Sequence, residues 1–146
     1  MNYEEITLVE KVVVGISAKT GNSDPQMQEI IGGLWQKFYQ TGISDSVKNK
    51  VNGYAIGLYS DYEAESYFVT VGNEVSKSDN PELSVKIIPA GRYAKFVVKG
   101  NMITAVAAAW NEIWQMKLNR SFTGDFEEYL NGDMENAEIN IYIALK

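Results

Sequence analysis

The residues with the most chemical promise lie in Asp125-Phe126-Glu127-Glu128-Tyr129. Alternate side chains of an extended strand share a face, so Glu127 and Tyr129 point together and Glu128 points away. Tyr142 from the last strand, with Tyr67 or Phe68 from the first half of the chain, would surround that carboxylate with aromatic rings. Ring faces and a negative charge both attract an organic cation. The same desolvation raises a carboxyl pKa, which also suits a general acid or base. From periodicity alone, an exposed strand position near a turn is the commoner fate of such a Glu. Trp110 and Trp114 are one helical turn apart; Trp114 reads as core, whereas the Trp110 ring could reach a pocket between helix and sheet. The nine tyrosines concentrate in strand-like segments, and strand propensity explains much of that.

Composition narrows the chemistry further. The 146 residues include no Cys and no His. That excludes a thiol nucleophile, a Ser-His-Asp triad and a disulfide framework, and it removes the commonest transition-metal ligands. Neither a metal nor a cofactor is expected. Net charge is −6, from 13 basic and 19 acidic residues, which disfavours direct nucleic-acid binding. No phosphate-binding glycine loop is present, because Gly32-Gly33 sits inside a helical pattern. No apolar run is long enough to span a membrane, and the acidic start is unlike a signal peptide. The expectation is one soluble cytoplasmic domain over residues 1–146, a monomer by default.

Two helices and several strands must position these residues. After Ser23-Asp24-Pro25, the apolar stripe Met27, Ile30, Ile31, Leu34, Trp35 and Phe38 predicts a helix that stops before Gly42. A second stripe follows Asn101: Ile103, Val106, Ala107, Trp110, Ile113 and Trp114, reaching about Leu118. Strands are expected within 6–18, 53–59, 65–71, 84–99 (interrupted at Pro89-Ala90-Gly91), 125–130 and 137–145. Asn131-Gly132-Asp133 reads as a hairpin turn. The order strand, helix, strand, strand occurs twice, with Trp35 and Trp110, and Tyr59 and Tyr129, at similar points. This suggests a duplication with halves at about 1–75 and 83–146, joined by Asn73 to Glu82. The expected fold is α+β: a fused antiparallel sheet with two helices on one face. A ligand groove is expected on the opposite face, along the pseudo-two-fold seam.

Three segments together resemble the GyrI-like small-molecule-binding family, the effector-binding domain of AraC-type and MerR-type regulators. They are Ile87-Ile88-Pro89-Ala90-Gly91-Arg92-Tyr93-Ala94-Lys95-Phe96, Ala109-Trp110-Asn111-Glu112-Ile113-Trp114 with Leu118-Asn119-Arg120-Ser121, and Phe126-Glu127-Glu128-Tyr129 with Glu138 to Ile143. The resemblance implies paired strand–helix–strand–strand units with a pocket on the pseudo-dyad. It implies that Glu127 meets cationic ligands, and that Tyr129, Tyr142 and Trp110 supply aromatic walls. The chain departs from the family pattern at Glu128, usually apolar, and in the exit Leu118-Asn119-Arg120-Ser121, usually Leu-Pro-x-Ser. A regular strand would turn the Glu128 charge toward the helices.

The leading functional expectation is a stand-alone module that binds lipophilic, cationic or aromatic small molecules and is linked to transcription regulation. Enzymatic activity is the less favoured alternative. It would be a hydrolase of electrophilic compounds, with Glu127 as general base and Tyr142 or Tyr93 as a second polar group. A gyrase-inhibitor-like role, with a protein partner, is the third.

Overall fold

A computed structural model describes residues 1–146. The strands are β1 (Glu4–Leu8), β2 (Lys11–Gly21), β3 (Ala55–Glu63), β4 (Ser66–Val75), β5 (Ser84–Ile88), β6 (Gly91–Gly100), β7 (Asp125–Tyr129) and β8 (Ala137–Ala144). The helices are α1 (Met27–Gln40), the short α2 (Ile43–Ser46) and α3 (Met102–Gln115). All eight strands form one sheet in the order β1-β6-β8-β7-β3-β4-β2-β5. Every pairing is antiparallel. The α+β class and the two strand–helix–strand–strand units are as expected from the sequence.

The leading strand of each unit is broken in two, and the broken pieces change places. β1 pairs with β6 of the second unit, and β5 pairs with β2 of the first. Only Val9 and Glu10 connect β1, at one end of the sheet, to β2, near the other. Such a link reaches about 10 Å, whereas six strand spacings of a flat sheet measure about 29 Å. The sheet therefore curls until its ends approach. One buried cluster on its inner face proves the point: it joins Val13 and Ile88 from one end to Tyr93, Ile6 and Leu8 from the other, with Ile56, Leu58, Phe126 and Tyr142 between them.

The outer face carries both main helices. Leu34 and Phe38 of α1 pack on Val14, Val69 and Val71. Ala109 and Ile113 of α3 pack on Phe96, Ile139, Ile141 and Ile143. Asn101 caps α3, its side-chain oxygen accepting from the amides of Ile103 and Thr104. α3 ends at Gln115, short of the expected Leu118, because Met116 turns extended. At α1 the cap residue is Gln26 without a side-chain bond; Asp24 instead holds the preceding turn by accepting from the Gln26 amide. The β7–β8 connection is longer than a tight turn, and Asn131 and Asp133 stabilise it through backbone bonds to Glu138, Glu135 and Asn136.

The expected groove on the helix-free face is not there. The curl encloses that face around its apolar cluster, and the open space lies on the helix side instead. No helix is long and apolar enough to cross a membrane.

Candidate functional site

β3 and β7 meet at the middle of the sheet, with Gly57 opposite Glu127. Glu127 and Tyr129 share a face, as their spacing predicts, but that face is the helix side and not the helix-free side on which the groove was expected. Glu127 is 3% exposed. Its Oε2 accepts from the indole Nε1–H of Trp110 at 2.6 Å and from the Tyr59 hydroxyl at 3.0 Å. Its Oε1 accepts from the Tyr129 hydroxyl at 2.7 Å. All three donors are neutral, and no basic side chain pairs with the carboxylate. Burial pushes the Glu127 pKa up, opposed by the bonds from Tyr129, Trp110 and Tyr59. Burial and the Glu127 charge likewise push the Tyr59 and Tyr129 hydroxyls well above the ordinary tyrosine range, so both stay protonated donors.

The two units supply matching aromatic pairs around this carboxylate. Trp35 and Trp110 are each the ninth residue of a 14-residue helix. Trp110 meets Tyr59 edge-on at 5.4 Å, and Trp35 meets Tyr129 edge-on at 4.9 Å. Each helix thus sets its indole against a tyrosine of the other unit.

A cavity of about 750 Å³ opens beside the Tyr59–Trp110 pair. Its apolar wall comes from Met27 and Ile31 of α1, Tyr59, Tyr62 and Tyr67 of the β3–β4 hairpin, and Trp110 and Trp114 of α3. Arg120 and Phe122 line it too, as does a polar stretch of Asn22, Ser23, Glu65 and Ser66, which puts one carboxylate, that of Glu65, on the wall itself. Glu127 lies behind Tyr59 and Trp110 and is not itself on the wall. Tyr67 is anchored by donating to Asn22 Oδ1 at 2.8 Å.

A second buried carboxylate stands two residues away on the same strand face. Asp125 is fully buried. Its Oδ2 accepts from Arg120 Nη2 and from the Tyr62 hydroxyl, both at 2.6 Å. Its Oδ1 accepts from the Ala144 amide at 2.8 Å. The Arg120 guanidinium also lies 4.3 Å over the Phe122 ring. Unlike Glu127, Asp125 has a cation of its own.

Of the residues singled out in the sequence, the fold brings Glu127, Tyr129, Trp110 and Tyr67 to one side of the sheet. Tyr142 and Phe68 are not with them. Tyr142 pairs with Phe126 and stacks on it at 4.5 Å, inside the curl. Its hydroxyl is pushed up to about 12 by burial and by Glu128. Phe68 alternates away from Tyr67 and lies under the Lys86 ammonium, 4.6 Å from its centroid. Glu128 faces away from the helices, near Asn140 and Tyr142, the reverse of the orientation expected for it. Trp114 is half exposed at the cavity rim rather than in the core. The structure adds Tyr59, Tyr62, Arg120 and Phe122 to the site residues expected from the sequence. Two signals in the sequence bear on them: the equivalence of Tyr59 with Tyr129, and the altered exit Leu118-Asn119-Arg120-Ser121, which holds Arg120.

No cluster of metal-ligating side chains is present. The sequence matches the GyrI-like small molecule binding domain over residues 1–146. YobU of Bacillus subtilis (strain 168), a candidate transcriptional regulator, is 31% identical over 160 residues, covering 100% of this chain and 99% of its own. The structure of SAV2435 bound to tetraphenylphosphonium is similar with a TM-score of 0.85 and 22% identity, covering 100% of this chain and 94% of that one. A candidate transcription regulation protein of Staphylococcus aureus MU50 has a TM-score of 0.80 and 24% identity, over 100% and 99% of the two chains. Curled sheet, paired helices and whole-length sequence match agree, and the chain belongs to the GyrI-like small molecule binding domain family.

Proposed function

We propose that this protein holds aromatic organic cations in the helix-side cavity, with Glu127 as the negative partner. The observation that carries this reading is the contrast between the two carboxylates of β7. Asp125 has its guanidinium at 2.6 Å; Glu127 is nearly as buried and faces neutral donors only. A buried charge without a counter-ion is costly. A cation entering the cavity offsets that cost, whereas a neutral ligand does not.

The carboxylate acts from behind the rings. By accepting from the Tyr59 hydroxyl and the Trp110 indole, it enriches both π-systems and adds its own field at their cavity faces. Aromatic and methionine walls adapt to ligands of several shapes, which fits a multidrug type of binding. The bound cation of SAV2435 supports the same ligand class. The likeness to YobU supports a place for this binding event in transcription regulation. Hydrolysis is the weaker reading, because the donors already hold both Glu127 oxygens away from a substrate water.

The test is a titration with tetraphenylphosphonium and its neutral relative triphenylphosphine oxide, followed by tryptophan fluorescence. Wild type should bind the cation saturably. Glu127→Gln should weaken it by about 1–3 kcal/mol, leaving the oxide unchanged. Equal cation affinity in both proteins would remove Glu127 from the site.

A further inference from the structure

Arg120 is held in the cavity wall more firmly than a charge partner for Asp125 requires. Asp125 fixes it from behind, and Phe122 supports its flat face. Its side chain is only 14% exposed. A guanidinium carries five N–H donors, yet the one hydrogen bond this side chain makes is from Nη2 to Asp125. Nη1 has no partner within the chain and is the donor left for a ligand; Nε is unpaired as well but buried, out of a ligand's reach. An arginine on a ligand cavity with unused donors is a hydrogen-bonding point for something the protein itself does not supply.

The anchor points of the two polar groups are close. Asp125, which holds Arg120, and Glu127 are two residues apart on one face of β7, about 7 Å. The cavity therefore has the buried Glu127 carboxylate behind Tyr59 and Trp110, the Glu65 carboxylate on its wall, and a donor pole at Arg120. The aromatic wall fills the space between them. We propose that Arg120 makes the cavity selective for aromatic cations that also carry a carboxylate, so that the preferred ligands are zwitterionic. This rests on the cavity being the cation site proposed above.

A matched probe pair separates the two ideas: butyltriphenylphosphonium and (4-carboxybutyl)triphenylphosphonium differ by the carboxylate alone. The readout is the ratio of their affinities at neutral pH. In wild type the carboxylated probe should bind about tenfold more tightly, the scale of a charge-assisted hydrogen bond on a partly solvated group. The double variant Arg120→Gln/Asp125→Asn removes the guanidinium without leaving a lone buried charge, and its ratio should fall to about one. The single variant Arg120→Lys keeps the ion pair and gives up the fork, so its ratio should lie between. Equal binding of both probes by wild type would overturn the proposal and leave the cation site standing. A preference that survives in the double variant, shown folded by its circular dichroism, would also overturn it. Failure of both probes to bind would overturn the cation site and this inference together.

Discussion

Gly57 stands opposite Glu127 in the β3–β7 pair, and the side chain that Gly57 lacks is the room the carboxylate uses. A Cβ at position 57 would come within 3.2 Å of both Glu127 Oε1 and Trp35 Cζ2. The two residues are separated by the same interval as Tyr59 and Tyr129. One unit gives the carboxylate, and the equivalent place in the other gives the space for it.

Gly57→Ala should therefore be harmful although its backbone needs no unusual φ. The new methyl group presses on two side chains held by other contacts, at about 1–3 kcal/mol for such overpacking. Urea denaturation should show the loss, and cation affinity should fall with it. Unchanged stability would mean that the Glu127 side chain has slack.

Glu127→Gln should behave differently with and without ligand. Burial raises the Glu127 pKa, so the folded chain binds that proton more tightly than the unfolded chain. Its contribution favours folding below the unfolded pKa and is lost as pH rises through the folded one. A Gln keeps an oxygen for Tyr59 and Trp110 and offers an N–H to the Tyr129 oxygen. The ligand-free variant should thus melt above wild type at pH 8, with the gap closing as pH falls. A variant that melts below wild type at pH 8 would mean that the charged form is well stabilised.

Cation affinity should fall at low pH as Glu127 takes up a proton, from a higher pH than an ordinary carboxylate. Trp110→Phe removes a donor that favours the charged form. Its affinity midpoint should move to still higher pH, whatever happens to the affinity itself. Tetraphenylphosphonium titrations across pH check this, and an unmoved midpoint would deny the indole any influence on the charge.

Asp125 and Tyr62 should separate by size of effect. Asp125→Asn leaves Arg120 buried beside a neutral group, a loss of about 3 kcal/mol or more. Tyr62→Phe removes one hydrogen bond to Asp125, about 1 kcal/mol. Denaturant midpoints of the two variants would show the order.

The sequence exposed what depends on local periodicity. Both helices, the shared face of Glu127 and Tyr129, and the shared face of Ile139, Ile141 and Ile143 in β8 follow from spacings of two, three and four. Tyr142 lies on the face opposite to Glu127 because the register of β7 against β8 sets it beside Phe126, and alternation within either strand does not contain that register. Tyr62 sits in the irregularity between Ser60 and Glu63, where the period of two breaks down. Arg120 and Phe122 lie between α3 and β7, with no repeating pattern to assign them. The curl of the sheet was hidden for a related reason. The run from β1 into β2 looks continuous, and nothing local says that its first five residues pair far away.

The exchanged edge strands make the molecule an interlock. A chain cut within 76–83 would yield one piece holding β1 through β4 and another holding β5 through β8. Each would carry a short strand whose partner is on the other piece. Neither could close the curl alone, and neither would own a whole cavity, since α1 and α3 both line it. Mixed together, the pieces have every reason to reassemble, so the connector is the natural place to split this protein into a ligand-responsive reporter.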